Sequence, residues 1–409
     1  MSVMQRRAAV ALALLLAAGA GRAQPVADRL DALHAFLAES TGVGGYAGAV
    51  ELLMRDGRIV DFRAFGHRDL ARREPMTRDA IFRIYSMTKT IATAALLMLV
   101  DEGRLGLDDP VARYLPAFGA LVVDDGTGST RPPRRPMTMR HLLTHSAGFA
   151  LGPAAPPAAA RALAEADPSG ATDLAGYAER ASRAPLGFDP GARFHYDGLS
   201  TEIACRIVEV IAGEPFDGFL QRRILGPLRM ADTGFEVAAA QRHRIAEISA
   251  IGAGGARVAA LVPAAGTRMR PYPSGAGGLY STAADYARFA QMLLNRGTLD
   301  GVTILRRETV DLMLGNQLTQ TDPAPGLAGN EFRPGEGFGL GGSVRIAADG
   351  GRPAGAFGWT GAASTYYSID PRQRLVAILL LQHLPKDGAG DLPKLQSRFY
   401  ELAHRALVP

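Results

Sequence analysis

Apolar residues recur with two different periods along this 409-residue chain, and the period changes four times. Residues 26–37 have the spacing of a short amphipathic helix. Residues 47–55 and 58–66 then read as two strands joined at Asp56-Gly57, a pair that favours a tight hairpin. Helical spacing takes over in residues 82–103. There a strand end and a turn lead to apolar positions at Ile91, Ala95, Leu96, Met98, Leu99 and Val100, and Gly103 stops the run. Further helices are predicted over 171–184 and 199–212, and after Ser281, which is placed to cap a 3.6-residue periodicity ending near Asn295. Strand character returns over 338–346, 354–359, 363–369 and 375–382, before a last helix over 392–407. Strands at both ends with helices between them predict an α/β fold of the α+β type. In it an antiparallel sheet, flanked by helices and built from both chain ends, receives an inserted, mostly helical lobe. The expected bounds are about 24–85 and 275–409 for the sheet lobe and about 86–274 for the helical lobe. Residues 150–170, rich in Ala and Pro, form a long connection of the kind that often covers an active site.

Residues 1–23 fall outside this plan. Arg6 and Arg7 precede an apolar run over 8–18, and Gly21-Arg22-Ala23 offers small residues for cleavage before Gln24. That is the make-up of a secretory signal peptide, since the run is too short to span a bilayer. Export to a periplasm or medium is expected, without stable membrane insertion after cleavage. Removing the leader takes away Arg6, Arg7 and Arg22 and no acid, which lowers the formal net charge from +5 to +2. The remaining arginine is scattered rather than gathered into a basic arm, which argues against nucleic acid as a partner. Cys205 is the single cysteine, so no intramolecular disulfide forms, and its neighbours Ile203 and Ile207 point to a packing role.

Candidate chemistry begins at Ser86 and Lys89, three residues apart and so on one face of a helix, near enough to share a proton. The partial positive charge of a helix N-terminus disfavours a second positive charge there and favours the neutral, proton-accepting amine. A neutral amine beside a hydroxyl makes an activated nucleophile. The spacing alone also fits a serine that caps the helix. Composition favours chemistry: of 45 basic residues, only those at 89, 386 and 394 are lysine, and arginine cannot give up its proton in a protein. His141 and His145 are four apart, a spacing that invites zinc, but Leu142 follows where a zinc protease would carry an acid. No metal or cofactor is expected. A G-x-S-x-G elbow is absent; Thr144-His145-Ser146-Ala147-Gly148 lacks the first glycine.

The stretches AVELLMRDGRIV and EPMTRDAIFRIYSMTK resemble the opening of the serine β-lactamase and penicillin-binding superfamily, most closely its class C β-lactamases and family VIII carboxylesterases. TMRHLLTHSAGF, FLQRRILGPLRMADTGF and SGAGGLYSTAADYARFAQMLLN are also similar to superfamily landmarks and read as architecture. The resemblance runs from about Ala47 to Gln382. It implies that Tyr196, in FHYDG, hydrogen-bonds with Lys89 and shares in proton transfer. Without it, Tyr196 reads as a core aromatic and Asp197 as a helix cap. The superfamily motif is Tyr-x-Asn, and here Tyr196-Asp197-Gly198 replaces the asparagine that contacts a lactam amide. The third motif, Lys-Thr-Gly in lactam-processing relatives, is Trp359-Thr360-Gly361, the Trp-x-Gly form of family VIII esterases. An indole cannot hold a substrate carboxylate as a lysine does. By the same resemblance the backbone amides of Ser86 and Ala362 form the oxyanion hole, and Trp359, Thr360, Gly361, Asp197 and Gly198 line the substrate site.

The expectation is therefore an exported serine hydrolase that cleaves small carboxylic esters through an acyl-Ser86 intermediate, with Lys89 and Tyr196 moving protons. Its partner is a small ester or amide substrate. A β-lactamase or D-amino-acid peptidase is the alternative within catalysis. A penicillin-binding-like protein that binds cell-wall fragments without turnover is the alternative outside it.

Overall fold

Helix α1 (Val26–Ser40) leads into strands β1 (Gly48–Arg55) and β2 (Arg58–Gly66). The computed structural model describes residues 26–152, 155–318, 335–348, 351–386, 388 and 390–408, so the expected leader lies outside the described residues. Both turn residues between β1 and β2 have positive φ, 51° at Asp56 and 77° at Gly57, the conformation whose twist matches a two-residue hairpin. The middle of the chain supplies helices α2 (Thr88–Asp101), α3 (Leu174–Ala181), α4 (Leu199–Ala212) and α5 (Ala283–Leu294). Strands β3 (Glu336–Phe338), β4 (Ser343–Arg345), β5 (Phe357–Gly361), β6 (Thr365–Asp370) and β7 (Leu375–Leu380) follow, and helix α6 (Gln396–Leu407) ends the chain.

The seven strands form one sheet in the order β3-β4-β5-β6-β7-β1-β2, with each neighbouring pair antiparallel. Its two arms join where β1 pairs with β7, Val50 opposite Leu380. Alternation along β1 sends Val50 and Leu52 to one face and Ala49 and Leu53 to the other. The first face packs on α5, while α2, buried from Thr88 to Leu99, packs on α4 and serves as the axis of the main core. The second face is covered by α1 and α6 through Leu33, Leu37, Phe399 and Leu402. Burial on both faces explains why β7, LVAILL, reads as a continuous apolar run.

The structure corrects three local expectations. The strand expected over 338–346 is a hairpin of β3 and β4, because glycines interrupt it; Gly341 has φ 74°, and a Cβ there would lie 2.2 Å from Thr93 Oγ1. Thr282, not Ser281, caps α5: its side chain accepts the Asp285 N–H at 3.1 Å, while the Ser281 hydroxyl meets Thr233 at 2.8 Å. The connection over 150–170 contains a helix, Pro157–Ala166, opened by a proline at its first position. Among the described residues, no helix is long and apolar enough to cross a membrane.

Candidate active site

A two-residue strand, Phe82–Arg83, pairs with Tyr280–Ser281 and delivers the chain to a 3-10 turn, Tyr85–Met87, that runs straight into α2. Ser86 therefore sits in the turn before the helix, and Lys89 in the first helical turn. Tyr85, just ahead of Ser86, has φ 43°, a region that costs a non-glycine residue about 1–2 kcal/mol and is held only by surrounding structure. Ser86 is half-buried, and Lys89 is buried with Nζ 3.2 Å from Ser86 Oγ. One proton can pass between them.

The amine has a second partner that sequence reasoning missed. Lys89 Nζ donates to the carbonyl of Ala276 at 2.6 Å, in a segment read from sequence as architecture. That approach depends on Gly275, where a Cβ would fall 2.2 Å from Cys205 Sγ. Beside it lies Glu202, a buried acid of α4 that accepts from the Ser274 hydroxyl and, at 3.0 Å, from the Gly275 N–H. Burial pushes the Glu202 carboxyl up to about 7, against the Ser274 hydroxyl and the positive charge of Lys89, which pull it down. The signal in sequence was an acid set into the apolar run of α4, one turn before Cys205.

Tyr196 closes the other side. Lys89 Nζ lies 4.8 Å from the centre of its ring, and the Trp359 indole N–H donates to its hydroxyl oxygen at 3.1 Å. The Tyr196 and Trp359 rings are 5.0 Å apart, and Phe338 meets Trp359 edge-on at 5.3 Å. His145 sits 4.7 Å behind the Tyr196 ring with φ 52°. Phe194, Tyr196, Phe338 and Asp197 lie around it.

Asp197 is placed differently from the expected substrate contact. Its carboxylate is buried and accepts from Ser200 N at 2.6 Å and Ser200 Oγ at 2.9 Å, at the start of α4, with His145 Nδ1 at 3.6 Å. Burial alone would raise this acid, but His145 and the Ser200 donors outweigh it and hold the carboxyl below its ordinary value. It caps the start of α4. Gly198 stands at the N-cap of α4, with space for a Cβ 3.5 Å from Ala276.

The third motif reaches Ser86 through backbone contact. A Cβ on Gly361 would lie 2.3 Å from Ile84 O and 2.2 Å from Thr365 Oγ1, so only glycine lets β5 run against the Ser86 turn. The Thr365 hydroxyl reinforces that seam by donating to Ile84 O at 3.3 Å. Ala362 is the exposed residue just beyond Gly361. β4 pairs with β5 at Phe357 and Gly358. A cavity of about 310 Å³ at this end is lined by Trp359, Thr360, Gly361 and Ala362 with Tyr366 and Lys394. A larger open groove, about 900 Å³, lies between Arg63, Arg78, Asp232 and Asp285, away from Ser86.

A second line of groups also resembles a hydrolase relay, with Ser249 Oγ 2.9 Å from His383 Nδ1 and His383 Nε2 2.7 Å from Asp391 Oδ1. Ser249 and His383 are fully buried, so no substrate reaches them, and the line braces strand contacts.

Comparisons with known proteins agree with this geometry. The family model Beta-lactamase matches residues 33–397. Protein Rv1367c of Mycobacterium tuberculosis (strain ATCC 25618 / H37Rv) is 34% identical, over 92% of this chain and 99% of its own. Esterase EstB of Burkholderia gladioli is 30% identical, over 83% of this chain and 87% of its own. Among solved structures, EstCE1, described as a hydrolase with promiscuous acyltransferase activity, superposes with a TM-score of 0.73 at 25% identity, covering 94% of this chain and 98% of that one. A family match across both arms of the sheet, together with an esterase relative of nearly equal span, leads to one conclusion: this chain belongs to the Beta-lactamase family and is a serine hydrolase.

Proposed function

We propose that the protein cleaves small carboxylic esters through a covalent acyl-Ser86 intermediate. Lys89 takes the Ser86 Oγ proton as the oxygen attacks the ester carbonyl carbon, and the amides of Ser86 and Ala362 receive the oxyanion. The intermediate collapses by breaking the bond to the alcohol oxygen, which leaves with a proton delivered by Lys89 and Tyr196. Water then gives a proton to the same pair and attacks the acyl carbon. The acid departs and Ser86 regains its proton. The leader-like residues 1–23 support an exported enzyme.

The observation that carries the ester reading is Trp359. Where lactam-processing relatives have a lysine, an indole donates to Tyr196 at 3.1 Å and packs on Phe338, so the cleft offers an apolar wall in place of a cation for a substrate carboxylate. The relative EstB, named as an esterase, supports the same choice. The test compares initial rates on short-chain p-nitrophenyl esters and on a chromogenic cephalosporin, with Ser86→Ala as control. Ester turnover that vanishes in the control, with little cephalosporin turnover, is expected. Cephalosporin hydrolysis outpacing every ester would make this a β-lactamase. Neither activity, with no acyl adduct by intact mass, would leave a binding protein.

A further inference from the structure

The sheet face turned away from Ser86 holds three ionisable side chains that the proposed reaction does not use. His34 projects from α1, Glu51 from β1 and Asp61 from β2. Glu51 lies between Ala49 and Leu53, the residues that pack on α1 and α6, so alternation sets it on the face opposite α5. One ligand atom from each of the three, an imidazole nitrogen and two carboxylate oxygens, falls within 4.8 Å of the other two. Neighbouring ligands of a tetrahedral zinc ion stand about 3.4 Å apart, so small side-chain rotations close this set around one ion.

Two features separate this cluster from an ordinary ion-pair network. Glu51 is wholly buried, and neither of its carboxylate oxygens has a hydrogen-bond partner. A buried charged carboxylate is costly, and such a group takes up a proton, pairs with a cation or coordinates a metal. The other two groups are already oriented as an inner and outer shell. Asp61 Oδ2 faces His34 Nε2, while Asp61 Oδ1 accepts from Arg63 Nε at 3.2 Å and from the Phe62 N–H at 3.1 Å. Oδ2 thus points inward and Oδ1 is held from behind, the arrangement that fixes a ligating carboxylate. His34 is partly exposed, which leaves a path for an ion to enter.

We propose that His34, Glu51 and Asp61 bind one divalent transition-metal ion that clasps α1 to the β1–β2 hairpin, remote from the ester chemistry. One imidazole and two carboxylates suit Zn²⁺ or Mn²⁺ better than Ca²⁺, which takes six or more oxygens. Coordination would tie the N-terminal helix to the sheet without touching Ser86.

The test is calorimetric titration of chelator-stripped, full-length protein with Zn²⁺, alongside its melting temperature with and without the ion. One equivalent bound and a raised melting temperature are expected. His34→Gln and Glu51→Gln should each weaken binding at least about tenfold while ester turnover stays at the wild-type rate. His34→Gln decides the matter if the buried Glu51→Gln change prevents folding, since His34 lies near the surface. Absence of binding to Zn²⁺ and Mn²⁺, or binding equally tight in His34→Gln, would overturn the site and leave Glu51 as a buried acid that keeps its proton beside Asp61.

Discussion

The Trp359 indole N–H donates to the Tyr196 hydroxyl oxygen across 3.1 Å, joining the third motif to the second. An oxygen that accepts from the indole directs its own O–H elsewhere, so the contact orients the Tyr196 proton as well as its ring. Trp359→Phe keeps the aromatic wall and removes the donor. A single such hydrogen bond is worth about 0.5–1.5 kcal/mol, so kcat for a p-nitrophenyl ester should fall roughly three- to tenfold with KM little changed. A rise in KM at constant kcat would mean that the indole only packs against substrate.

Lys89 stands between the Ser86 hydroxyl and the Ala276 carbonyl. Lys89→Arg retains the charge and most of the length but not a removable proton. Ester turnover should drop by about 10²–10⁴-fold, with the thermal transition still cooperative. Turnover at the wild-type level would take Lys89 out of the reaction.

Gly361 lets β5 touch the backbone ahead of Ser86. Gly361→Ala forces a methyl group against Ile84 O, and such overpacking costs roughly 1–3 kcal/mol. Because the displaced atoms lie two residues from Ser86, activity should fall further than stability. Denaturant unfolding and acylation rates on the same variant separate the two effects.

Glu202 links stability to pH. Its folded value of about 7 stands above an ordinary 4.5, so the folded protein holds a proton that the unfolded chain releases earlier. The stabilisation is complete below pH 4.5 and is lost as pH rises through 7, about 3 kcal/mol in all. Glu202→Gln removes the titration. The stability of the variant relative to wild type should therefore improve by about 3 kcal/mol between pH 4 and pH 8, measured by urea unfolding. A pH-independent difference would show that folding leaves the Glu202 carboxyl at its ordinary value.

His141 gives the opposite slope. Burial, helped by Arg135, pushes its imidazole down to about 4 from 6.5. Its stabilisation is complete above pH 6.5 and is lost as pH falls through 4, again about 3 kcal/mol. His141→Gln keeps a side chain able to accept the Thr138 N–H that His141 Nδ1 accepts at 3.1 Å. The variant should lose less stability than wild type between pH 7 and pH 4.

Much of this fold was legible because each segment states its own preference. Asp56-Gly57 demands the turn it makes, and the apolar spacing of α2 and α4 can bury only as helices. The serine–lysine pair was legible for the same reason, since helical geometry alone sets its proximity. The partners that arrive from far along the chain were not. Ala276 contributes a carbonyl, which any residue has, and Glu202 is an acid whose burial depends on what α4 packs against. The motif resemblance sets Asp197 in the substrate site, whereas the residues alone read it as a helix cap; its carboxylate turns to the helix start, toward Ser200. The glycines of 339–342 look alike in a strand or a turn until Gly341 meets Thr93.

The pairing of β1 with β7 also bears on when this protein can fold. A ribosome that has released the first three hundred residues has delivered β1, β2 and most of the helices, but not the strand that lies against Val50. Until Leu380 emerges, β1 keeps an apolar, unpaired edge, and α5 lacks part of the sheet it packs on. Completion is thus deferred to the end of synthesis, and it closes a loop of more than three hundred residues, which makes it slow. Under the export proposed above, that delay is an advantage: the nascent protein stays unfinished, and so translocatable, until nearly all of it has been made.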